Sequence, residues 1–372
     1  MSSIYERYQL RPVINASGRM TMLGVSTPAP EVTAAVAQGL GQYFEMKDLI
    51  DKTGDYIARL LEVEAATVVS CASAGIAQSV AAVIVRDDPR LLVNLHAQAV
   101  NGPGEIVLPK GHNVNFGAPV GTMVALGGGR VVEAGWGNEC SAAQLEAAVG
   151  PDTAAILYIK SHHALQKSVL SVAEAAEVAR RRHVPLIVDA AAEEDLRAYY
   201  LQGADLVIYS GAKAIEGPTS GLVLGRRQYV EWVKLQSQGI GRAMKVGKEG
   251  ILGLSCAIER YLKQDKESGA AMAERLRPFI AGLNQLAGVS ARLVWDAAGR
   301  DIARAEIAFD AAASGLSAAA AAAALKQGDI AIYFREYRAN EGKLEVDARS
   351  VDAAQLEQIG ARIRRLLTGE QA

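Results

Sequence analysis

The chain has 372 residues, half of them hydrophobic and 22% charged, a balance suited to a globular protein with one large domain and a smaller one. Lys+Arg at 39 against Asp+Glu at 41 give a net charge of -2, with no basic block of the kind that tracks a phosphate backbone, so nucleic-acid partners are disfavoured. Cys71, Cys140 and Cys256 are odd in number, far apart and outside any CxxC pair, which indicates neither a disulfide framework nor a structural zinc site.

The opening MSSIYERYQLRP lacks the apolar stretch of a signal peptide, and no run approaches the roughly 18 apolar residues that span a bilayer, so the cytoplasm is the expected location. From residue 67 onward, short β-branched runs alternate with stretches of helical period. TVVSC (67–71) precedes GIAQSVAAVIV (75–85), and AAILYIK (154–160) precedes SVAEAAEVARRR (171–182). PLIVDA (185–190), DLVIYS (205–210) and SGLVLG (220–225) follow. Near-continuous apolar strands between helices predict an α/β domain with a mainly parallel sheet covered on both faces. The glycine-punctuated region from Gly102 to Gly129 receives no assignment apart from His112. Beyond about residue 250, long helical stretches give way to ARLVW, RAEIAF, IAIYF and KLEVD, which suits a smaller α+β domain. The run SGLSAAAAAAALKQGD (314–329) reads as a capped helix with a serine start and a glycine stop. The expected division is an N-terminal arm over 1–45, a large domain over 46–250 and a small domain over 251–372.

Asp189 stands at the carboxyl end of a predicted buried strand, the edge at which open α/β sheets bind their ligands. Lys213 follows the next strand, at the same edge if the two are parallel or after a hairpin-like turn if they are not. An acid and a lysine converging on one cleft suit pyridoxal 5'-phosphate: the lysine forms a Schiff base and the carboxylate pairs with the pyridinium nitrogen. A surface ion pair would have the same spacing. SCASAGIAQSV (70–80) adds a strand, a small-residue turn and a helix start, where free amides favour a phosphate. Ser73 reads either as a phosphate ligand or as a plain helix cap.

The whole segment ADLVIYSGAKAIEGPTSGLVLGR (204–226), with its Ser-Gly-x-Lys, Gly-Pro and Gly signature after a DLV strand, resembles the selenocysteine-synthase-like group of fold type I pyridoxal phosphate enzymes. RPVINASGRMTMLG (11–24) is similar to that group's opening. YFEMKDLIDKTGDYIARLLEVEAATVVSCASAG, KGHNVNF, GIGRAMKVGKEG (239–250) and YFREYRANEG (333–342) look closest to its D-glucosaminate-6-phosphate ammonia-lyase branch. The resemblance implies an aspartate aminotransferase-like fold with a mainly parallel seven-stranded sheet, a bound pyridoxal 5'-phosphate and at least a homodimer. It implies that Lys213 carries the cofactor and that Asp189 pairs with its ring nitrogen. Ser73, Ala74, Gly75 and Ser210 would hold its phosphate, and His112 would lie over the ring or beside the substrate. His162 and His163 in SHHALQK would face the same cleft, with His112, His162, His163 or the returning Lys213 as candidate proton carriers. Arg242, Lys245 and Lys248 would hold a phosphate, and Arg335, or failing that Arg338, the substrate carboxylate.

The implied reaction eliminates the C3 hydroxyl of a 2-amino-3-hydroxy acid, D-glucosaminate 6-phosphate, as water and then releases ammonia by hydrolysis, to leave 2-keto-3-deoxy-6-phosphogluconate. A racemase, an aldolase, a β-eliminating lyase, selenocysteine synthase and a catalytically silent assembly protein are the alternatives. The run AAAEEDLRAYY after Asp189, together with Glu216 and Thr219, departs from the branch and bears on the substrate rather than on the cofactor.

Overall fold

The structure is a computed structural model that describes residues 3–97, 102–161, 163–264, 267–296 and 300–369. Among these residues there are twelve strands. They are β1 (Val13–Ala16), β2 (Ala65–Val69), β3 (Glu105–Pro109), β4 (Arg130–Ala134), β5 (Thr153–Ile159), β6 (Leu186–Asp189), β7 (Leu206–Ser210), β8 (Gly221–Gly225), β9 (Val289–Trp295), β10 (Ala303–Phe309), β11 (Ala331–Phe334) and β12 (Lys343–Asp347). The chain divides into two compact units, one of residues 27–264 and one of residues 1–26 with 265–372. No helix of the described residues is long and apolar enough to cross a membrane.

The larger unit holds a seven-stranded sheet in the order β2-β8-β7-β6-β5-β3-β4. All neighbours are parallel except β8, which runs antiparallel to both β2 and β7. Every residue of β5 is buried, as a central strand covered on both faces requires. Its alternate residues enter two separate cores. Ile156 and Tyr158 pack with Val107, Val188 and Val207, whereas Ala155, Leu157 and Ile159 pack with Ile106, Ile187 and Ile208. The first core is closed by helices Val172–Arg181 and Lys248–Lys263, through Ala175, Val178, Ile251, Leu254 and Ile258. The second is closed by helix Ala72–Val85, whose apolar residues Ile76, Val80 and Val83 are all enclosed. Ser171 and Glu174 start the helix at Val172 with a reciprocal capping box.

The smaller unit contains the antiparallel sheet β12-β10-β9 and the parallel pair β1-β11. Leu276 of helix Gly269–Leu283 and Ile359 of helix Ala353–Thr368 share a core with Ile307 and Leu344. The alanine-rich run forms helix Ala318–Leu325, capped by the Ser317 hydroxyl on the Ala320 amide.

This division differs from the expected arm over 1–45 and break at 250. Residues 13–16 are a strand of the smaller unit, in register from Val13 opposite Ala331 to Ala16 opposite Phe334. Helix Lys248–Lys263, which straddles residue 250, buries Ile251, Leu254 and Ile258 in the larger unit's core.

Candidate active site

Because β5, β6 and β7 are parallel and in register, Ile159 opposite Asp189 and Asp189 opposite Ile208, their carboxyl ends form one edge. Asp189 ends β6 there, 6% exposed, and its Oδ1 accepts the Ala191 amide at 3.2 Å. Burial raises its pKa from the ordinary 3.8 to about 6, against the opposing pull of the Lys213 charge and the Ala191 hydrogen bond. An enclosed carboxyl thus faces the lysine electrostatically, and a cation placed against it would be strongly favoured.

Lys213 stands in the connection between β7 and the antiparallel β8, so the hairpin-like alternative holds while the edge is still the one that carries Asp189. The connection is drawn tight by backbone bonds from the Gly211 amide to the Ser220 carbonyl (2.8 Å) and from the Gly217 amide to the Gly211 carbonyl (2.7 Å). A Cβ on Gly211 would lie 2.1 Å from Ser220 Oγ and 3.2 Å from the Ser220 carbonyl oxygen, so glycine lets the connection close without displacing Ser220. Ser210, the last residue of β7, donates its amide to the Ala191 carbonyl at 3.2 Å and so joins the lysine connection to the segment after Asp189.

Helix Ala72–Val85 begins beside the end of that connection. A Cβ on Gly221 would lie 2.7 Å from the Cys71 carbonyl group, and one on Gly75 would lie 2.8 Å from Ile208 Cγ2. The small residues of SCASAG therefore let the helix start approach β7 and β8. The N-cap is Cys71, whose Sγ accepts the Ala74 amide at 3.3 Å, so Ser73 is the second residue of the helix rather than its cap. The first-turn amides of a helix have no intrahelical acceptor and, with the helix dipole, form an anion site.

The histidines separate. His163 is electrostatically coupled to Lys213, and its pKa is lowered first by burial and then by that charge. His162 lies outside the described residues. His112 has no accessible surface, and both of its ring nitrogens meet backbone: Nε2 lies 2.9 Å from the Leu165 carbonyl and Nδ1 accepts the Ile159 amide at 3.2 Å. A side chain enclosed in this way presents no face to a cofactor ring and no spare nitrogen for proton transfer, in contrast to the role expected from its position in the sequence.

The cations also separate. Arg242 and Lys245 are exposed, on and just after the 3-10 turn Ile240–Met244. Lys248 does not join them in a phosphate cluster: its Nζ donates to the carbonyls of Leu40 (3.2 Å) and Gln42 and lies 5.3 Å from the Tyr43 ring centroid. It closes the carboxyl end of helix Pro30–Gly41, where a cation offsets the helix dipole. In the smaller unit, Arg335 pairs with Glu345 (3.3 Å), and Arg338 pairs with Glu306 (2.8 Å) and Glu341 (2.6 Å). Both guanidinium groups thus hold carboxylates of their own unit.

Two features are not evident from the sequence. Lys160, just past the end of β5, donates its amide to the Asp189 carbonyl at 2.8 Å and its Nζ to Gln166 Oε1 at 3.0 Å. Its place at the end of a buried apolar run is the signal that singles out Asp189, and it applies equally here. Three tyrosines also pin the segment after Asp189: Tyr209 and Tyr261 donate to the carbonyls of Asp195 (2.9 Å) and Glu194 (2.6 Å), and Tyr199 to Glu193 Oε2 (2.7 Å). Among the described residues no cluster of three or more His, Cys, Asp or Glu side chains is arranged to hold a metal ion. The enclosed acid, the lysine coupled to it and the adjoining helix start fit pyridoxal 5'-phosphate.

Comparison with known proteins agrees with this fit. The chain is 44% identical, over 98% of both chains, to a Salmonella typhimurium protein named D-glucosaminate-6-phosphate ammonia lyase. It is 38% identical, over 98% of itself and 92% of the relative, to a Streptomyces protein named 5'-C-glycyluridine monooxygenase-decarboxylase. A solved D-glucosaminate-6-phosphate ammonia-lyase structure superimposes with a TM-score of 0.93 over 99% of both chains, at 43% identity. An aspartate aminotransferase from Thermus thermophilus shares the fold alone, at 13% identity and a TM-score of 0.51 over 97% of this chain and 93% of the other. The model of the family described as SelA: L-seryl-tRNA selenium transferase matches residues 13–354, so this chain of fold type I belongs to that family.

Proposed function

We propose that the protein is a pyridoxal 5'-phosphate-dependent ammonia-lyase that converts D-glucosaminate 6-phosphate, a 2-amino-3-hydroxy acid, to 2-keto-3-deoxy-6-phosphogluconate and ammonia, as a cytoplasmic homodimer or larger homo-oligomer. The observation that carries this reading is the near-full-length likeness to the Salmonella lyase, which extends through the segment that holds Lys213. When bound, the cofactor supplies an electron sink for the pair left at Cα when its proton departs. Asp189 keeps the ring nitrogen protonated. The first-turn amides of helix Ala72–Val85, with Ser73 and Ser210, hold the phosphate. Lys213 would hold the cofactor at rest and, when released from it, would be the base placed to take the Cα proton. His163 or the returning Lys213 gives the proton with which the C3 hydroxyl leaves as water. A water is taken up again when the product imine is hydrolysed, so the net loss is ammonia. Arg242 and Lys245, exposed in the larger unit, suit the substrate's distal phosphate.

The likeness to the Streptomyces monooxygenase-decarboxylase favours a second reading, in which an amino acid on a larger carrier loses carbon dioxide with uptake of oxygen. The acidic segment after Asp189 is the place where substrate choice would diverge.

One experiment separates the two. The reconstituted protein is given D-glucosaminate 6-phosphate while visible absorbance, 2-keto acid, ammonia and dissolved oxygen are followed. A visible band with both products and no oxygen uptake is expected, and Lys213→Ala should lose band and products together. Full activity in that variant would sink the assignment of Lys213. A band without products, joined by oxygen uptake on a glycyl nucleoside, would favour the second reading.

A further inference from the structure

The enclosure of His112 has a physical logic that starts from strand pairing. β3 pairs with β5 from Glu105 opposite Thr153, through a register shift after Glu105, to Val107 opposite Ile156, then ends at Pro109. Further along β5, the Ile159 amide donates instead to Nδ1 of His112 at 3.2 Å. With Nδ1 an acceptor, the proton resides on Nε2, which donates to the Leu165 carbonyl at 2.9 Å. Leu165 returns its own amide to the Gly111 carbonyl at 3.1 Å. The turn Lys110–His112 thus grips one residue, Leu165, from two sides. Gly111 permits the approach, since a Cβ there would lie 2.8 Å from Leu165 Cβ. The Tyr158 ring meets the imidazole edge-on, at 4.5 Å between centroids and 82°.

What this grip holds bears on the catalytic edge. Gln166 follows Leu165 and bridges back to β5: its Nε2 donates to the Ile159 carbonyl at 3.2 Å and its Oε1 accepts Lys160 Nζ at 3.0 Å. His163, coupled to Lys213, stands two residues before Leu165. We propose that His112 is a positioning residue, a neutral imidazole protonated on Nε2 alone that latches residues 163–166 to the carboxyl end of β5 and thereby fixes Lys160 and His163 beside Asp189 and Lys213. Its activity readouts rest on the proposed reaction, but the latch itself does not. In keeping with a neutral ring, burial first, opposed by the Leu165 bond and joined by the Lys160 charge, lowers the imidazole to about 4.

The test has a chemical arm and a spectroscopic one. Glutamine offers an acceptor and a donor on one side chain, whereas leucine offers neither. In the holoenzyme, His112→Leu should lower kcat on the order of 10- to 100-fold, as misplacement of reacting groups does. His112→Gln should recover most of that loss, and Gly111→Ala should reproduce it with the imidazole intact. With ¹⁵N-labelled histidine, the signal that His112→Gln removes from among the five histidines should be that of an Nε2–H tautomer at pH 7.5.

A glutamine variant no better than leucine would mean that the imidazole itself transfers a proton, and would overturn the proposal. So would unchanged kcat in Gly111→Ala, or a His112 signal of the Nδ1–H or cationic form. If the wild-type holoenzyme does not turn over D-glucosaminate 6-phosphate, the substrate assignment fails, while the tautomer still decides the latch.

Discussion

An aspartate closed off from water on a sheet edge is a cost to the folded chain unless a cation meets it, and Asp189 carries that cost. Its pKa is raised by burial to about 6 from an ordinary 3.8. The folded protein therefore binds this proton more tightly than the unfolded chain does. The group's contribution to stability is largest below about pH 4 and is lost as pH rises through about 6. A carboxyl displaced that far contributes at most roughly 3 kcal/mol. Apo Asp189→Asn should accordingly be more stable than the apo wild type at pH 7.5 and should not share its loss of stability between pH 4 and pH 6.5. The reconstituted variant should lose turnover by on the order of 100-fold or more, because nothing then holds the ring nitrogen protonated. Denaturant unfolding of both apo proteins across that pH range checks the first half. Equal stabilities at pH 7.5 would show that the carboxyl is not penalised by its surroundings. Asp189 and Lys213 are legible in the sequence because each follows a buried apolar run at the ligand-binding edge. The place of His112 is not, because whether an imidazole reaches a cleft or is spent on backbone groups depends on Ile159 and Leu165, some 50 positions away.

At the scale of elements, legibility follows burial and period. β5, β6, β7 and β8 are continuous apolar runs, and the sequence pattern marks them to within a residue or two. β3 and β4 are hidden from it, because their stretch is broken by glycines whose purpose is long-range contact. A Cβ on Gly127 would lie 2.5 Å from the Ala77 carbonyl, and one on Gly129 would lie 2.8 Å from Val80 Cγ1, both on helix Ala72–Val85. Those glycines stand in the turn before β4 and also pack closely on that helix, a contact with no local signature. The same physics makes the lysine connection vulnerable. Gly211→Ala would set a methyl 2.1 Å from Ser220 Oγ, 2.8 Å from Leu254 Cδ1 and 3.2 Å from the Ser220 carbonyl oxygen, so both side chains have to move and the hairpin between β7 and β8 is pressed outward. The expected cost is about 1–3 kcal/mol of stability, as for other overpacked sites. Weakened formation of the visible band should accompany it, because Lys213 moves with the hairpin. Unfolding in urea and titration with cofactor measure the two effects; a variant unchanged in both would mean that the tight closure of the hairpin is not what sets the lysine.

For the whole molecule, the consequential feature is that the first residues of the chain complete a unit built mostly from its last hundred. β1 contributes Ile14 and Ala16, 4% and 0% exposed, to the core that holds Ile332 and Phe334, and the Ala331 amide donates to the Pro12 carbonyl at 2.9 Å. Just beyond β1, Gly18 takes φ +92° and comes within 3.0 Å, at its would-be Cβ, of Asp347 Oδ2. That carboxylate is itself buried: burial raises its pKa, but the hydrogen bond and charge of Arg349 and the charge of Arg304 override this and hold it at about 2. The pairing joins positions more than 300 residues apart, so sequence patterns alone suggest a detached arm. Removal of residues 1–18 should uncover β11 on one side and expose the Ile14 contacts, at a cost of about 1.5–3 kcal/mol for that side chain alone. Hydrogen exchange at residues 331–334 should then accelerate well before exchange in β5 and β6 changes, since those strands belong to the other unit. If residues 331–334 keep their protection in the truncated chain, β1 is an appendage after all. If β5 and β6 lose protection in step with β11, the two units do not unfold separately, and the stability of the active-site edge depends on the first 18 residues.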